Sequence, residues 1–127
     1  MTILNTHGDF ITLRPSEFNS YDTIRYSTND QTSSVLLGVS RAGIVDFSLK
    51  LGSVSAEIDG SRGSDGIAGG SGMDSLWGKG GSDSLYGNAG DDLLVGDWDS
   101  GSATGNDLLF GGDGNDRLIG GTGNDAL

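Results

Sequence analysis

Two nine-residue stretches decide the fold: residues 69–77 read GGSGMDSLW and residues 111–119 read GGDGNDRLI. Both begin with two glycines, place aspartate at the sixth position and leucine at the eighth. The pattern returns in seven rows, which begin at Gly60, Gly69, Gly78, Gly87, Gly96, Gly111 and Gly120. An acid and an aliphatic residue held in phase at a fixed period indicate a repeat architecture, because flexible glycine-rich linkers keep no such register.

The sixth and eighth positions differ in chemistry throughout. The sixth position holds Asp65, Asp74, Asp83, Asp92, Asp107, Asp116 and Asp125. The eighth position holds Ile67, Leu76, Leu85, Leu94, Leu109, Leu118 and Leu127. One irregularity interrupts the series, an insertion of six residues in the fifth row, within residues 96–104.

Each row combines a turn with a strand. The first six residues can turn tightly because glycine tolerates positive φ. The last three can form a short strand, whose middle residue faces the opposite way from its neighbours. We therefore expect the eighth residue to point inward and two rows to make one coil of 18 residues. Stacked coils would pair their strands in parallel, about 4.8 Å apart.

Stacking would arrange the aspartates in two ladders, one at each edge of the coils. The first ladder is Asp65, Asp83, Asp107 and Asp125, and the second ladder is Asp74, Asp92 and Asp116. Stacked carboxylates repel one another, and a hard divalent cation between coils would remove the repulsion. Turn carbonyls could complete an oxygen shell at about 2.3–2.6 Å, which suits Ca²⁺ better than Mg²⁺. The chain has no cysteine and one histidine, His7, outside the repeats, which argues against zinc, copper and iron.

The rows at residues 69–77 and 111–119 resemble the RTX (repeats-in-toxin, haemolysin-type) nonapeptide, and the resemblance covers residues 60–127. It implies an all-β fold, a right-handed parallel β-roll of two short parallel sheets, with Ca²⁺ between turns one coil apart. It also implies that the sixth-place aspartates bind Ca²⁺ in the pairs Asp65/Asp83, Asp83/Asp107, Asp107/Asp125, Asp74/Asp92 and Asp92/Asp116. The glycine-rich turns would add ligands from Gly63, Gly70, Gly72, Gly81, Gly90, Gly112, Gly114, Gly121 and Gly123.

Some rows depart from the motif. Ser61 and Lys79 stand where second-place glycines are expected, although their backbone carbonyls can still serve as ligands. The interruption places residues 97–101, DWDSG, between Asp83 and Asp107, which puts that site in question. Either Asp97 or Asp99 replaces a ligand there, or both lie in a solvated surface loop.

The N-terminal part has a different composition, because 20 of the 24 glycines lie in residues 60–127. Strands are predicted over residues 10–13, 21–27, 34–39 and 44–51, followed by an alternation of Val54, Ala56 and Ile58. We therefore divide the chain into a β region over residues 1–58, which caps the first coil, and a β-roll over residues 59–127.

The charge is uneven as well: residues 1–58 hold six acids and four bases, and residues 59–127 hold twelve acids and three bases. The second part therefore carries −9 of the net charge of −11. Such a surface would repel nucleic acids and anionic membranes. No apolar stretch reaches the length of a membrane span, and residues 1–10 lack the features of a secretory signal peptide. We expect a secreted or surface-exposed protein that is exported without such a peptide.

No catalytic constellation is visible in the sequence. Lys79 is followed by glycine rather than serine or threonine, so there is no phosphate-binding loop, and no serine lies in a nucleophile elbow. We expect a non-enzymatic, Ca²⁺-binding structural module that folds on Ca²⁺ binding and has an interaction or assembly role. One alternative is a folding and secretion module cut from a secreted RTX protease, lipase or epimerase. Another is a subunit of a virion or surface layer.

The ninth position of each row should point outward from its strand. One sheet would present Ala68, Tyr86 and Phe110, and the other Trp77, Val95 and Ile119. Outward aromatic residues in so acidic a chain favour a protein partner or self-association through Trp77, Tyr86 and Phe110. The alternative is the ordinary apolar exposure of a thin fold.

Overall fold

The chain forms short strands joined by turns. A computed structural model describes residues 55–98 and 104–127 in full and the backbone of five strands before them. The strands are β1 (Thr2–Asn5), β2 (Ile11–Leu13), β3 (Thr23–Tyr26), β4 (Val35–Val39), β5 (Ile44–Asp46), β6 (Ala56–Asp59), β7 (Gly66–Ala68), β8 (Ser75–Lys79), β9 (Ser84–Ala89), β10 (Leu93–Asp97), β11 (Leu108–Asp113) and β12 (Arg117–Ile119).

Two parallel sheets dominate the architecture. One has six strands in the order β12-β10-β8-β6-β4-β2, and the other has four in the order β11-β9-β7-β5. From β4 onward the strands alternate between these sheets, so each coil gives one strand to each. β1 and β3 form a separate parallel pair. The predicted all-β fold with two short parallel sheets is confirmed.

No helix occurs among the described residues. This part of the chain therefore contains no helical segment capable of crossing a membrane.

The strand register follows the repeat. Leu94 lies opposite Leu76, and Leu85 lies opposite Ile67, in each case one 18-residue coil away. Leu109 lies opposite Leu85 although 24 residues separate them. The register is therefore kept across the insertion, and the coils on either side stack as if the repeat were continuous.

The core is a column one side chain wide. The inward residues Ile58, Ile67, Leu76, Leu85, Leu94 and Leu109 are at most 1% exposed. Their strand neighbours are mostly less buried: Ser84 and Tyr86, on either side of Leu85, are half-buried and exposed. Because successive side chains in a strand point to opposite faces, only one residue per row reaches the space between the sheets. The prediction that the eighth position points inward is confirmed for these rows.

The sheets run through the position predicted to separate residues 1–58 from residues 59–127. β6 lies across it and pairs in parallel with β4 on one side and β8 on the other. Ala56 and Ile58 are buried, as their alternation predicted. The sheet thus continues through position 58, and β2, β4 and β5 belong to the same two sheets. The domain boundary itself stays a prediction.

The other N-terminal strands agree with the sequence in part. β2, β3 and β4 lie within the strands predicted over residues 10–13, 21–27 and 34–39. β5 is the beginning of the strand predicted over residues 44–51, and residues 47–51 lie outside the described part of the chain.

Two adjacent leucines provide a test of the core. Leu94 is fully buried, whereas its neighbour Leu93 is only half-buried on the other face of β10. With calcium in excess, Leu94→Ala should lower the free energy of unfolding by about 2–5 kcal/mol, and Leu93→Ala by less than about half of that. Urea unfolding followed by circular dichroism measures both. Equal losses would contradict a core built from the eighth position alone.

Candidate metal sites

The sixth-place aspartates stack through a repeated hydrogen bond. Each Oδ1 accepts a backbone N–H from the corresponding position one coil earlier, so side chain and backbone alternate along each ladder. In the first ladder, Asp65 donates to Asp83 at 2.7 Å, Asp83 to Asp107 at 2.8 Å and Asp107 to Asp125 at 2.9 Å. In the second ladder, Ala56 donates to Asp74 at 2.8 Å, Asp74 to Asp92 at 2.7 Å and Asp92 to Asp116 at 2.9 Å. The two predicted ladders are therefore present.

Most of these carboxylates are removed from water. The members of the ladders that are at most 4% exposed are Asp65, Asp74, Asp83, Asp92 and Asp107. Asp116 and Asp125 are half-buried. A buried carboxylate is costly unless it is paired with a cation or fully hydrogen-bonded. Because Oδ1 of each aspartate already accepts a hydrogen bond, the partners of Oδ2 decide whether the burial of the carboxylate is compensated.

The Oδ2 atoms differ between the first rows and the later ones. Asp65 Oδ2 accepts from the N–H of Ser61 at 2.7 Å and from its hydroxyl at 2.9 Å, and Asp74 Oδ2 accepts from Gly70 N–H at 2.6 Å. The Oδ2 atoms of Asp83, Asp92 and Asp107 are buried and have no hydrogen-bond partner. Three carboxylate oxygens in the middle of the stack thus lack any compensation from the described residues.

These oxygens point at the first-place glycines. A Cβ on Gly87 would collide with Asp92 Oδ2 and lie 2.6 Å from the carbonyl oxygen of Gly111, one coil later. A Cβ on Gly96 would likewise collide with Asp107 Oδ2 and lie 2.5 Å from the Gly120 carbonyl oxygen. A carboxylate oxygen and a carbonyl oxygen therefore converge beside each glycine. The same first-place collision with an aspartate Oδ2 recurs at Gly69, Gly78, Gly111 and Gly120.

The electrostatics of the ladders oppose ionisation. Burial, followed by the neighbouring carboxylates, raises the pKa of Asp83 to about 7 and the pKa of Asp92 to about 6. Burial also raises the pKa of Asp74 and Asp107, partly offset by the backbone N–H groups that donate to them. A bound divalent cation would reverse this, because it stabilises the charged form of every carboxylate near it.

The donor set fits Ca²⁺. The orphaned Oδ2 atoms and the converging carbonyls are hard oxygen ligands, which Ca²⁺ accepts in flexible shells of six to eight. No group of three or more acidic, histidine or cysteine side chains converges within the described ranges, so backbone carbonyls would have to supply the rest of each shell. Bound there, Ca²⁺ would neutralise the ladders and tie adjacent coils together.

The turn glycines named from the sequence take two roles in the backbone. Positive φ is found at Gly112 and Gly121 in the second position, and at Gly81, Gly90, Gly114 and Gly123 in the fourth. Gly63, Gly70 and Gly72, in the earlier rows, do not have it. In the fourth position, a Cβ on Gly90 would meet the carbonyl oxygen of Gly72 in the preceding coil. The fourth-place carbonyls thus also face the next coil, although which of these oxygens bind metal stays a prediction.

Two residues adopt the left-handed conformation without being glycine. Lys79 and Asn88 occupy the second position with φ of 82° and 81°. The Lys79 ammonium lies 3.0 Å from Asp59 Oδ2, and the Asn88 amide donates to the carbonyl of Gly69 at 3.0 Å. Contacts to the preceding coil thus accompany a backbone conformation that is unfavourable for side chains with a Cβ.

The interruption leaves the ladder intact. Asp83 N–H donates to Asp107 Oδ1 at 2.8 Å across the insertion, in the same way as in the uninterrupted rows. Asp97, for which a solvated loop was one expectation, is only 9% exposed and accepts from Thr122. The solvated-loop interpretation is therefore wrong for Asp97, while Asp99 lies outside the described residues.

Two features of the turns were missed from the sequence. The first is the steric role of the first-place glycines, whose signal was their presence in all seven rows. The second is a fifth-place ladder, in which a side-chain oxygen accepts the backbone N–H one coil later. Ser64 accepts from Ser82, Ser82 from Asn106 and Asn106 from Asn124, at 2.9–3.1 Å. The signal for this ladder was the short polar residue at the fifth position of every second row.

The outer faces of the two sheets differ. On the four-stranded sheet, Tyr86 and Phe110 are 39% and 51% exposed, and their rings stack with centroids 5.4 Å apart. On the six-stranded sheet, Val95 is 1% exposed, so the expectation that it is presented outward is wrong. Trp77 is half-buried, and the ring of Trp98 lies edge-on to it with the centroids 5.2 Å apart.

Parallel coils with stacked, orphaned carboxylates and carbonyls beside glycine turns define a calcium-binding β-roll. Residues 68–103 and 102–127 match the family model of the RTX calcium-binding nonapeptide repeat. This part of the chain belongs to that repeat family, whose members bind Ca²⁺. No curated protein and no solved structure was found to match the chain.

Substitutions at the adjacent acids Asp91 and Asp92 distinguish an effect on the metal site from the general effect of removing one negative charge. Asn at position 92 can still accept the Asp74 N–H, and its amide can donate to the Gly111 carbonyl where Oδ2 had no partner. Asp92→Asn should therefore stabilise the calcium-free chain by roughly 1–3 kcal/mol and destabilise the calcium-loaded chain relative to wild type. Circular dichroism measures both changes in the free energy of unfolding. Urea unfolding gives the value for the calcium-loaded chain, and osmolyte-induced folding in chelator gives the value for the calcium-free chain.

Asp91→Asn is the matched control. Asp91 is exposed and its Oδ1 already accepts from Asn115 N–H at 2.8 Å, so this variant removes the same charge without touching an orphaned oxygen. Its effect should be below about 0.5 kcal/mol in both conditions. If Asp92→Asn destabilises the chain with and without calcium, the assignment of Asp92 Oδ2 to a metal site is wrong.

Proposed function

We propose that this protein is a non-enzymatic structural module that folds when Ca²⁺ binds and works outside the cell or at its surface. The observation that carries the proposal is the set of buried, unpartnered Oδ2 atoms of Asp83, Asp92 and Asp107. The residues proposed as ligands are the sixth-place aspartates with carbonyls of the glycine turns, in the adjacent-coil pairs given by the ladders.

Coupled folding is supported by how little else holds the coils together. The rows from Gly60 to Phe110 each bury an aliphatic side chain at the eighth position, and Val95 is buried as well. Each such burial is worth about 1.5–3 kcal/mol, while each ordered residue costs about 1–2 kcal/mol of backbone entropy. Residues 59–127 also carry a net charge of −9, which opposes compaction. Cation binding supplies the missing stabilisation only in the folded state, because the ladders exist only when the coils are stacked.

A location outside the cytosol follows from the same chemistry. Extracellular calcium modules bind at about 10⁻⁴–10⁻³ M, well above cytosolic free calcium. A module of this kind would stay unfolded before export and fold on reaching calcium. The secreted or surface-associated character typical of RTX proteins supports this proposal.

The proposal that the protein has no enzymatic role is supported by the residues that line an open cavity at the edge of the coils that carries the first ladder. A shallow cavity of about 270 Å³ is lined by Ser82, Thr104, Gly105, Asn106 and Gly123. None of these side chains is an acid, a base or an activated nucleophile. The sixth-place carboxylates lie instead in the ladders, where backbone N–H groups already orient them.

The folding proposal is tested by titrating calcium into the full chain. In EGTA we expect little β signal by circular dichroism, and with calcium a cooperative gain with a midpoint on the order of 10⁻⁴–10⁻³ M. Magnesium at the same concentration should give a much smaller change, because its octahedral shell is less adaptable. A full β signal in EGTA would refute coupled folding.

A second proposed role is contact with a protein partner or another copy through Tyr86 and Phe110. Their stacked rings form an exposed apolar patch on the four-stranded sheet, and Trp77 is set aside because Trp98 lies against it. Light scattering in calcium should show a larger particle for the wild type than for a Tyr86→Ser/Phe110→Ser variant if copies associate there. A wild type that stays monomeric at high concentration would exclude self-association and leave a different partner to be sought.

A further inference from the structure

Asp97 lies outside the repeat motif but inside the stack. It follows Gly96 directly, in the second position of the fifth row, where the interruption begins. Its backbone N–H donates to the Gly120 carbonyl at 2.9 Å, and its side chain is only 9% exposed. Asp97 is thus a buried acid in the same row as Asp107, next to the place where Asp107 Oδ2 and the Gly120 carbonyl of the next coil converge.

One oxygen of Asp97 has a structural role. Its Oδ2 accepts from Gly105 N–H at 3.3 Å, from Thr122 N–H at 3.3 Å and from the Thr122 hydroxyl at 3.1 Å. Gly105 lies at the far end of the interruption and Thr122 in the next coil. This oxygen therefore closes the base of the insertion and ties it to the following coil.

The other oxygen of Asp97 has no such role. Its Oδ1 is buried and has no hydrogen-bond partner, like the Oδ2 of Asp83 and the Oδ2 of Asp107. Asp97 follows Gly96, beside which Asp107 Oδ2 and the Gly120 carbonyl oxygen converge, and a Cβ on Gly121 would lie 2.5 Å from Asp97 Cβ. Lys79 is the register partner of Asp97, but its ammonium is engaged with Asp59 at 3.0 Å. The orphaned oxygen thus lies in a negative environment that calls for a cation.

We propose that Asp97 is an additional ligand of the Ca²⁺ held beside Asp107 and Gly120, so that the interruption creates a site with one more carboxylate than the regular rows. The inference rests on the calcium sites proposed above. Because calcium affinity rises with the number of charged ligands, this site fills first.

The test compares three variants of the full chain by calcium titration against a competing chelator. Asp97→Asn keeps an oxygen for the Gly105 and Thr122 donors but puts an amide where Oδ1 would meet the ion. Its tightest calcium should bind about 10- to 100-fold more weakly, with the other sites unchanged. Asp113→Asn, an exposed acid on the opposite edge, should leave the tightest affinity within about twofold of wild type.

Thr122→Val separates the structural role of Asp97 from the ligand role. It removes one donor to Oδ2 and should lower stability while the tightest calcium affinity stays within about threefold of wild type. Terbium, a luminescent substitute for calcium, gives a second measurement. Below one equivalent it should occupy this site and be excited through Trp98, the residue after Asp97, in wild type but not in Asp97→Asn.

Two results would overturn the inference. One is an Asp97→Asn chain that titrates like wild type. The other is a Thr122→Val chain that loses the tight site as fully as Asp97→Asn does, since Asp97 would then act only through packing. A wild-type chain that binds no calcium at all would instead refute the calcium sites themselves.

Discussion

The stacking of like charges is the constraint on which the structure depends. Parallel coils repeat at about 4.8 Å, so a residue type fixed at one position of the repeat meets itself in every coil. For leucine the result is a continuous core, and for aspartate it is a column of buried carboxylates. Backbone N–H groups satisfy one oxygen of each aspartate, and in the middle of the stack the other oxygen is left without a partner. The fold is therefore electrostatically incomplete as a polypeptide alone.

The glycine pattern follows from the same constraint. The unpartnered oxygen of Asp92 lies where a Cβ on Gly87 would be, and the carbonyl of Gly111 approaches that place from the next coil. A side chain at the first position would fill the space in which the oxygens converge. Glycine is required there for close approach of oxygen atoms, whereas in the fourth position Gly114 and Gly123 are also required for backbone conformation, with φ of 137°.

Much of this was predictable from the period alone. The fixed spacing between the sixth-place aspartate and the eighth-place aliphatic residue, as in Asp83 and Leu85, predicts where each row turns and which strand residue faces inward, because side chains in a strand alternate with a period of two. The 18-residue period of a coil predicts the two ladders. What the period could not predict depends on contacts between unlike segments. The ring contact of Trp77 involves Trp98, which has no counterpart in other rows, and the burial of Val95 did not follow from its position in the row. The sequence left Asp97 open between a ligand and a solvated loop, since its partner Thr122 belongs to the next coil. The continuity of β4 with β6 was missed because the residues before Gly60 lack the turn signature.

The most direct measurement is the anomalous scattering of the calcium-loaded crystal, which locates each metal ion without assumptions about ligands. We predict peaks on both edges of the roll, each beside a first-place glycine and within about 2.3–2.6 Å of a sixth-place aspartate oxygen, with Asp83, Asp92 and Asp107 all engaged. Calcium absent from both ladders in a folded chain would contradict the account.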